Sequence, residues 1–215
     1  MINRWLFIKH LSRNLSMKKV VFLLVVAGTS FLVAISQLSC NKTKAKKTKE
    51  EITMIARGKY LVNIGGCNDC HSPKIMSPAG PIPDPNRLLS GHPTDLQIQD
   101  ADFHMVTSGN WIMAGKGFTS YMGPWGISFA ANLTPDSASG IGSWDEEMFF
   151  KTLREGKYNG NGRKLLPPMP WQSFRNLSDQ DLRAIFTYLK SIKPVNNYVP
   201  PPVTPEEIAE SWKNR

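Results

Sequence analysis

Apolar residues recur at helical spacing in three parts of this 215-residue chain. The first part runs from Glu51 to Asn63, where Ile52, Ile55 and Ala56 share one face of a helix. Gly65-Gly66 follows directly, and paired glycines interrupt helices because glycine has low helix propensity. The pattern therefore predicts a helix that ends at the glycine pair.

A second helix is predicted to begin at Ser143. The residues Ser143-Trp144-Asp145-Glu146 match a capping box, in which the first and fourth side chains satisfy free backbone amides. Apolar residues follow within the next turns: Met148, Phe149 and Leu153. Gly156 supplies the predicted stop, because glycine readily adopts the left-handed conformation that ends many helices.

The third predicted helix begins at Ser178, a typical N-cap residue, with Asp179 and Asp181 in its first turn. Its apolar residues follow the i, i+3, i+4, i+7 spacing: Leu182, Ile185, Phe186 and Leu189. Pro194 marks the end, since proline cannot continue the hydrogen-bonded ladder.

Helical periodicity is weak between Ser72 and Asn132. This segment is dense in glycine and proline, as in Pro78-Ala79-Gly80-Pro81 and Gly123-Pro124-Trp125-Gly126. Loops of this length are uncommon in compact domains and tend to be functional or to surround something. We therefore expect an all-α domain with a long loop insertion.

Changes in composition divide the chain into four predicted parts. Residues 1–39 form a signal segment, 40–50 a lysine-rich tether, and 51–200 the folded domain. Residues 201–215 form a C-terminal tail with a short helix from Pro205.

The apolar stretch from Val20 to Leu38 follows the basic start Met17-Lys18-Lys19 and precedes Cys40. This order is typical of a secretory signal, and Leu38-Ser39-Cys40 resembles a bacterial lipoprotein signal in which Cys40 is lipidated. An uncleaved anchor is the alternative, because about 20 apolar residues span a bilayer. Both interpretations place the folded domain beside a membrane, on the periplasmic side of a bacterial envelope.

The net charge of +9 arises entirely in the first 50 residues. Residues 1–50 contain ten Lys and Arg and one Asp or Glu, whereas residues 51–215 contain sixteen of each kind. A nucleic-acid partner requires basic residues on the folded domain, so no such partner is expected. We interpret Lys42 to Lys49 as a solvated spacer that also suits anionic lipid headgroups.

The candidate chemistry centres on Cys67-Asn68-Asp69-Cys70-His71. Cys-x-x-Cys-His is the attachment motif of a c-type haem. Two cysteines three residues apart lie on one side of a helical turn, so both sulfurs can reach the vinyl groups on one haem edge. His71 then supplies an axial nitrogen ligand to the iron. The motif predicts one haem c, attached covalently through Cys67 and Cys70.

Two other uses of this cysteine pair stay open. A structural zinc site needs four ligands, and His92 and His104 are the candidates beyond the motif. Thiol–disulfide exchange is the other use, although no thioredoxin-like βαβ pattern surrounds Cys67 and Cys70.

Met169, within Leu166-Pro167-Pro168-Met169-Pro170-Trp171, is the candidate for the second axial ligand. Three prolines restrict the backbone around its flexible thioether, whereas core gap-filling is the ordinary use of methionine. His/Met ligation raises the reduction potential and fills both axial positions, which favours electron transfer over catalysis. The rival ligands are Met76, Met105, Met113, Met122, His92 and His104. We interpret the two histidines as ordinary surface residues.

Together these motifs resemble the cytochrome c family over Ile52 to Val199. The resemblance rests on six stretches: Arg57-Gly58-Lys59-Tyr60-Leu61, Cys67-Asn68-Asp69-Cys70-His71, Asn132-Leu133-Thr134-Pro135-Asp136, Gly140-Ile141-Gly142-Ser143-Trp144, Pro168-Met169-Pro170-Trp171 and Leu177-Ser178-Asp179. They are similar to single-haem modules in the cytochrome subunits of membrane-bound alcohol, aldehyde and gluconate dehydrogenases. Those subunits carry several modules, and this sequence contains one haem motif.

The resemblance implies a cytochrome c fold in which the first and third predicted helices cross near one haem edge. Gly58 would be the point of close approach, facing Phe186 or Tyr188. The implied haem ligands are those already named, at Cys67, Cys70, His71 and Met169. The candidate donors to the haem propionates are Arg163, Trp125 and Trp144, with core packing as the alternative for both tryptophans.

The predicted function is a membrane-tethered electron carrier with one haem. It would pass single electrons between redox proteins: a dehydrogenase or quinol-oxidising complex, and a downstream acceptor. The alternative is a haem enzyme, peroxidase-like or acting on sulfur compounds, with a displaceable sixth ligand and a pocket from the segment Ser72 to Asn132. A thiol oxidoreductase without haem is the third hypothesis.

Overall fold

The computed structural model describes residues 48–96 and 109–213. Contacts divide the chain into residues 1–50 and residues 51–215, and the elements given below belong to the second unit, except that the first helix begins at residue 48. Cys40 and the apolar stretch before it lie outside the described residues, as do His104 and Met105. Within the two described ranges, no helix combines the length and apolar composition needed to cross a bilayer.

The helices occupy both ends of the described chain. They are α1 at 48–64, α2 at Cys67–His71, α3 at Glu146–Glu155, α4 at Trp171–Phe174, α5 at Asp179–Ser191 and α6 at Pro205–Lys213. A short 3-10 helix covers Tyr158–Gly160. The three predicted helices are present, and the short helix expected from Pro205 is α6.

The first predicted helix ends as expected, and it is buried mainly in its second half. Gly66 adopts a left-handed conformation with φ 66° immediately after the helix. Ile52 is 62% exposed, and the residues that pack inward are Leu61 and Val62, on the same side as Gly58. The helix at 179–191 packs against the side of α1 that carries Gly58, so this side is the buried one.

The predicted start of the second helix, α3, is also corrected. Its N-cap is Asp145, whose carboxylate accepts a hydrogen bond from the Met148 amide at 2.7 Å. Ser143 instead lies in a turn, closed by the Trp144 amide on the Ile141 carbonyl at 3.1 Å. The predicted stop is confirmed, because Gly156 is left-handed with φ 68°.

The third predicted helix, α5, begins as its sequence indicates. The Ser178 hydroxyl accepts a hydrogen bond from the Asp181 amide at 3.1 Å. Asp179 and Asp181 lie in the first turn and Lys190 in the last, an arrangement that favours the helix dipole. The helix ends at Ser191, three residues before Pro194.

In its described residues, the segment without helical periodicity contains five short strands. They are β1 at Lys74–Ser77, β2 at Gly80–Pro83, β3 at Met113–Ala114, β4 at Ser120–Gly123 and β5 at Gly126–Phe129. β1 and β2 form an antiparallel hairpin with Ser77 opposite Gly80. β3, β4 and β5 form a second antiparallel sheet in that order, with Gly123 opposite Gly126.

Two apolar clusters hold these elements together. The first packs α1, α3 and α5 through Val62, Leu89, Ile141, Phe149, Leu153, Leu182, Ile185 and Leu189. The second packs α6 onto the three-stranded sheet through Met122, Ile127 and Ile208. A backbone bridge between Ile127 and Val203 joins the chain before α6 to β5, with N···O distances of 2.8 and 3.0 Å.

The predicted crossing of α1 and α5 is present at Gly58. A Cβ atom at Gly58 would overlap the Ala184 carbonyl oxygen and lie 2.7 Å from the Tyr188 Cβ. Of the two predicted neighbours, Tyr188 is therefore the one that Gly58 faces. Only a residue without a side chain permits this separation.

Candidate functional site

The Cys-x-x-Cys-His motif forms the helix α2, separated from α1 by the turn at Gly65-Gly66. Both cysteines are half-buried, and Cys67 packs against the first apolar cluster. The Lys74 ammonium donates hydrogen bonds to the carbonyls of Asn68 at 3.0 Å and Asp69 at 2.9 Å. This contact satisfies carbonyls that the short helix leaves without partners and fixes its orientation.

The environment of Cys67 suppresses thiolate formation. Burial raises the pKa of the Cys67 thiol to about 11, and the nearby Asp69 and Cys70 add to the shift. The thiolate is the form that performs thiol–disulfide exchange. The buried setting of Cys67 therefore does not favour the thiol oxidoreductase hypothesis.

His71 is held in the tautomer that an iron ligand requires. Its Nδ1 lies 2.7 Å from the Ala131 carbonyl oxygen, and a carbonyl only accepts, so Nδ1 carries the hydrogen. Nε2 then keeps its lone pair in the neutral ring. Burial lowers the pKa of His71, so the neutral form dominates at pH 7. A hydrogen bond of this kind orients the ring of a metal-ligating histidine.

Tyr121 of β4 contacts the second cysteine of the motif. Its hydroxyl lies 3.1 Å from the Cys70 sulfur and donates to the Phe118 carbonyl at 2.9 Å. Burial raises the pKa of Tyr121, so the phenol stays neutral. The three-stranded sheet thus reaches the motif at both Cys70 and His71, through Tyr121 and through Ala131 just after β5.

Met169 is half-buried and packs against the same apolar cluster as Cys67. Its loop is anchored from β5, where the Ser128 hydroxyl donates to the Pro167 carbonyl at 2.6 Å. The Met169 amide donates to the Leu166 carbonyl at 3.3 Å. The proline-rich loop therefore holds the thioether at the core that also borders the cysteine motif.

This donor set fits a c-type haem. The two cysteines lie one helical turn apart, and the neutral His71 ring has its Nε2 available. The Met169 thioether contributes a second soft ligand beside the same cluster. A cysteine pair, an imidazole and a thioether are the groups that attach and ligate haem c.

The methionines predicted as rival ligands lie elsewhere among the described residues. Met76 is 75% exposed in the β1–β2 hairpin. Met122 belongs to the second apolar cluster, and Met113 packs against that cluster. Met105 lies outside the described residues. Their positions leave Met169 as the described methionine that shares a cluster with Cys67.

The prediction that His92 is a surface residue is wrong. His92 is 1% exposed, and its ring packs at a tilt of 45° against that of Phe129, with centroids 4.8 Å apart. Its Nδ1 lies 2.8 Å from the Thr119 hydroxyl and its Nε2 3.2 Å from the Leu96 carbonyl. The ring fits the interior because both nitrogens are hydrogen-bonded.

In the described parts of the chain, no three His, Cys, Asp or Glu side chains gather as ligands for a bare metal ion.

The structure brings together two of the three predicted propionate donors. Trp144 meets Tyr158 edge-on with centroids 5.6 Å apart, and the Arg163 guanidinium lies 5.4 Å from the centroid of the same tyrosine ring. Trp125 is placed differently, because its indole N–H donates to the Ser128 hydroxyl at 3.3 Å. Its donor is thus already used within the fold.

Two asparagines that sequence reasoning missed fix the chain around His71 and its partner. Asn132 follows Ala131 directly, and its amide donates to the Val195 carbonyl at 2.8 Å. Asn197 donates to the carbonyls of Ser90 and His92 at 2.7 and 2.8 Å. Asn132 opens a stretch that carries the family resemblance, which could have indicated it. Asn197 has no such signal, because its partners lie 105 and 107 residues away.

No protein-family model matches the chain. The gluconate 2-dehydrogenase cytochrome c subunit of Pantoea cypripedii is 30% identical over 144 residues, which make up 66% of this chain and 24% of that protein. The fructose dehydrogenase cytochrome subunit of Gluconobacter japonicus is 25% identical over 185 residues, 86% of this chain and 29% of that protein. The cytochrome c subunit of the alcohol dehydrogenase (quinone) of Gluconobacter oxydans (strain 621H) is 26% identical over 169 residues, 78% of this chain and 28% of that protein.

These relatives are named as cytochrome subunits, and the donor set of the described residues suits the same haem chemistry. The homologues of the chain are the cytochrome c subunits of gluconate, fructose and alcohol dehydrogenases, which confirms the predicted resemblance. The chain spans about a quarter of the length of these relatives.

Proposed function

We propose that this protein is a c-type cytochrome with one covalent haem, attached through Cys67 and Cys70 and ligated by His71 and Met169. The observation that carries the proposal is the His71–Ala131 hydrogen bond, which leaves Nε2 available in a neutral ring. The shared cluster of Cys67 and Met169 supports it. The helical part would be an all-α cytochrome c fold, with the two small sheets as the insertion.

The proposed role is single-electron transfer. Bound haem supplies a one-electron change at its iron, with a potential raised by a thioether ligand. His71 and Met169 would occupy both axial positions, so a substrate would find no free site on the metal. The apolar cluster packs against Cys67, and Ala131 keeps the His71 ring in one orientation. These features favour an electron carrier over a haem enzyme.

A dehydrogenase is the proposed electron donor, since the relatives are named as dehydrogenase subunits. A downstream redox protein or quinone-linked complex would accept the electron. We further propose attachment to a bacterial membrane on the periplasmic side, through the apolar stretch before Cys40 or a lipid on Cys40 itself. A tether would raise the effective concentration of the cytochrome near its partners.

Paired substitutions test the axial ligand. Met169→Leu removes the thioether at similar volume, and Met122→Leu makes the same change in the second cluster. In full-length protein with haem attached, the first variant should lose the methionine–iron charge-transfer band and have a lower reduction potential. The second variant should keep both properties. A Met169→Leu protein that retains the band contradicts the proposed ligand.

A further inference from the structure

Two residues of the short stretch 128–131 contact the two segments that carry the proposed axial ligands, one residue for each segment. Ala131 accepts the hydrogen bond from the His71 ring at 2.7 Å. Ser128, three residues earlier on β5, donates its hydroxyl hydrogen to the Pro167 carbonyl at 2.6 Å. The stretch 128–131 therefore connects the α2 motif to the Met169 loop, although these two segments are about one hundred residues apart in the sequence.

The Ser128 hydroxyl hydrogen is used in the bond to the Pro167 carbonyl. The hydroxyl has a single hydrogen, and its other possible acceptor, the Tyr121 carbonyl, lies farther away at 3.4 Å. The oxygen in turn accepts from the Trp125 indole N–H at 3.3 Å. Ser128 is 8% exposed, so water competes little for these bonds.

The Met169 loop depends on external anchors because of its composition. Pro167, Pro168 and Pro170 have no amide hydrogen, so Met169 supplies the backbone donor within residues 167–170. That amide bonds to Leu166 inside the same loop, at 3.3 Å. The Ser128–Pro167 bond, by contrast, ties the loop to a separate element, two residues before the thioether.

We propose that Ser128 is a positioning residue for the sixth ligand: it holds the Pro167 carbonyl so that the Met169 thioether stays at the iron. The inference rests on the proposed function, because it requires Met169 ligation. A hydrogen bond of this type is worth about fivefold in an equilibrium constant. Loss of the bond should weaken Met169 ligation by about that factor, while His71 and both cysteines keep their contacts.

Imidazole binding to the ferric holoprotein tests the inference, because imidazole binds the iron only when the methionine has left it. Ser128→Ala should raise the apparent imidazole affinity about fivefold, since affinity follows the population of the binding-competent state. Its reduction potential should fall, and its covalent haem content should equal that of the unchanged protein. The matched control is Thr152→Val, which removes another buried hydroxyl that donates to a carbonyl, that of Met148 within α3. This control should leave the imidazole affinity unchanged.

A second variant, Trp125→Phe, removes the donor to Ser128 and keeps an aromatic ring. Trp125→Phe should also raise the imidazole affinity, by a smaller factor than Ser128→Ala. It tests the inference if the Ser128→Ala protein does not accumulate. Equal affinities in Ser128→Ala and the unchanged protein, where the unchanged protein shows the methionine–iron band, would overturn the positioning role alone. An unchanged protein without that band would overturn the proposed ligation by Met169, and the positioning role with it.

Discussion

At the scale of single residues, hydrogen bonds to backbone carbonyls set the chemical form of the important side chains. The Ala131 carbonyl assigns the hydrogen of His71 to Nδ1, and the Leu96 carbonyl assigns the hydrogen of His92 to Nε2. Burial lowers the pKa of both histidines. The two rings therefore share a neutral state, yet only His71 has a nitrogen without a hydrogen-bond partner among the described contacts.

His92 should make stability depend on pH near neutrality. Because burial depresses its pKa in the folded state, the unfolded chain takes up a proton first as the pH falls below about 6.5. The free energy of unfolding should then fall on acidification, by at most about 1.4 kcal/mol per pH unit from this group. Urea unfolding of the holoprotein between pH 7 and 5, compared with His92→Gln, measures the contribution. Identical slopes in the two proteins would contradict the prediction.

The corrected helix cap can be tested at two neighbouring positions. Asp145→Ala removes the acceptor of the Met148 amide and should lower the free energy of unfolding by about 1 kcal/mol. Ser143→Ala, two residues earlier, should leave it nearly unchanged, since Ser143 precedes the cap. Urea denaturation of both variants provides the comparison. A larger loss of unfolding free energy from Ser143→Ala would show that Ser143 caps the helix after all.

The motif can be recognised in the sequence because its residues are close together along the chain. Cys67, Cys70 and His71 occur within one helical turn, so spacing alone predicts their use. Their supporting partners could not be predicted in this way. Tyr121 lies 51 residues from Cys70, and Ala131 lies 60 residues from His71. Such contacts depend on how the intervening chain folds, which short motifs do not encode.

At the scale of elements, the crossing of α1 and α5 depends on one missing side chain. Gly58→Ala places a methyl group against the Ala184 carbonyl and should lower the free energy of unfolding by about 3 kcal/mol. Gly117→Ala is the control, because its added methyl would meet Thr119 and Leu96 at 3.5 and 3.6 Å, ordinary contact distances. Thermal or urea unfolding distinguishes the two, and equal losses would mean that the crossing tolerates a wider separation.

The sequence predicts the helices better than the strands, for a physical reason. α3 and α5 each combine a polar cap, a periodic apolar face and a terminal signal, all within about fifteen residues. β1 to β5 are two to four residues long, too short for alternation to be recognised. The turns between these strands contain proline and glycine. The same residues are common in irregular loops, so they do not identify a hairpin.

At the scale of the whole molecule, Asn197 joins segments that are distant in sequence. Its side chain donates to the carbonyls of Ser90 and His92, and its amide oxygen accepts from the Thr94 backbone and hydroxyl at 3.1 and 2.9 Å. The chain before α6 is thereby fastened to the loop that follows the β1–β2 hairpin. This asparagine uses both donors and its acceptor in one place.

Asn197→Asp tests this connection with almost no change of volume. The carboxylate loses both donors and faces two carbonyl oxygens, so the free energy of unfolding should fall by about 2 kcal/mol at pH 7. Asn161→Asp makes the same change at an exposed position and should have little effect. Urea unfolding of the holoprotein measures both, and equal stabilities would show that the connection contributes nothing.

The central claim concerns the whole molecule: one haem, bound by two thioether links to this polypeptide. Intact-mass analysis, after expression with haem-attachment machinery, tests it most directly. We expect a single added haem per chain in the unchanged protein and none when Cys67 and Cys70 are both replaced by serine. A mature chain that carries no haem mass, with Cys67 and Cys70 still titrating as free thiols, would contradict covalent haem attachment.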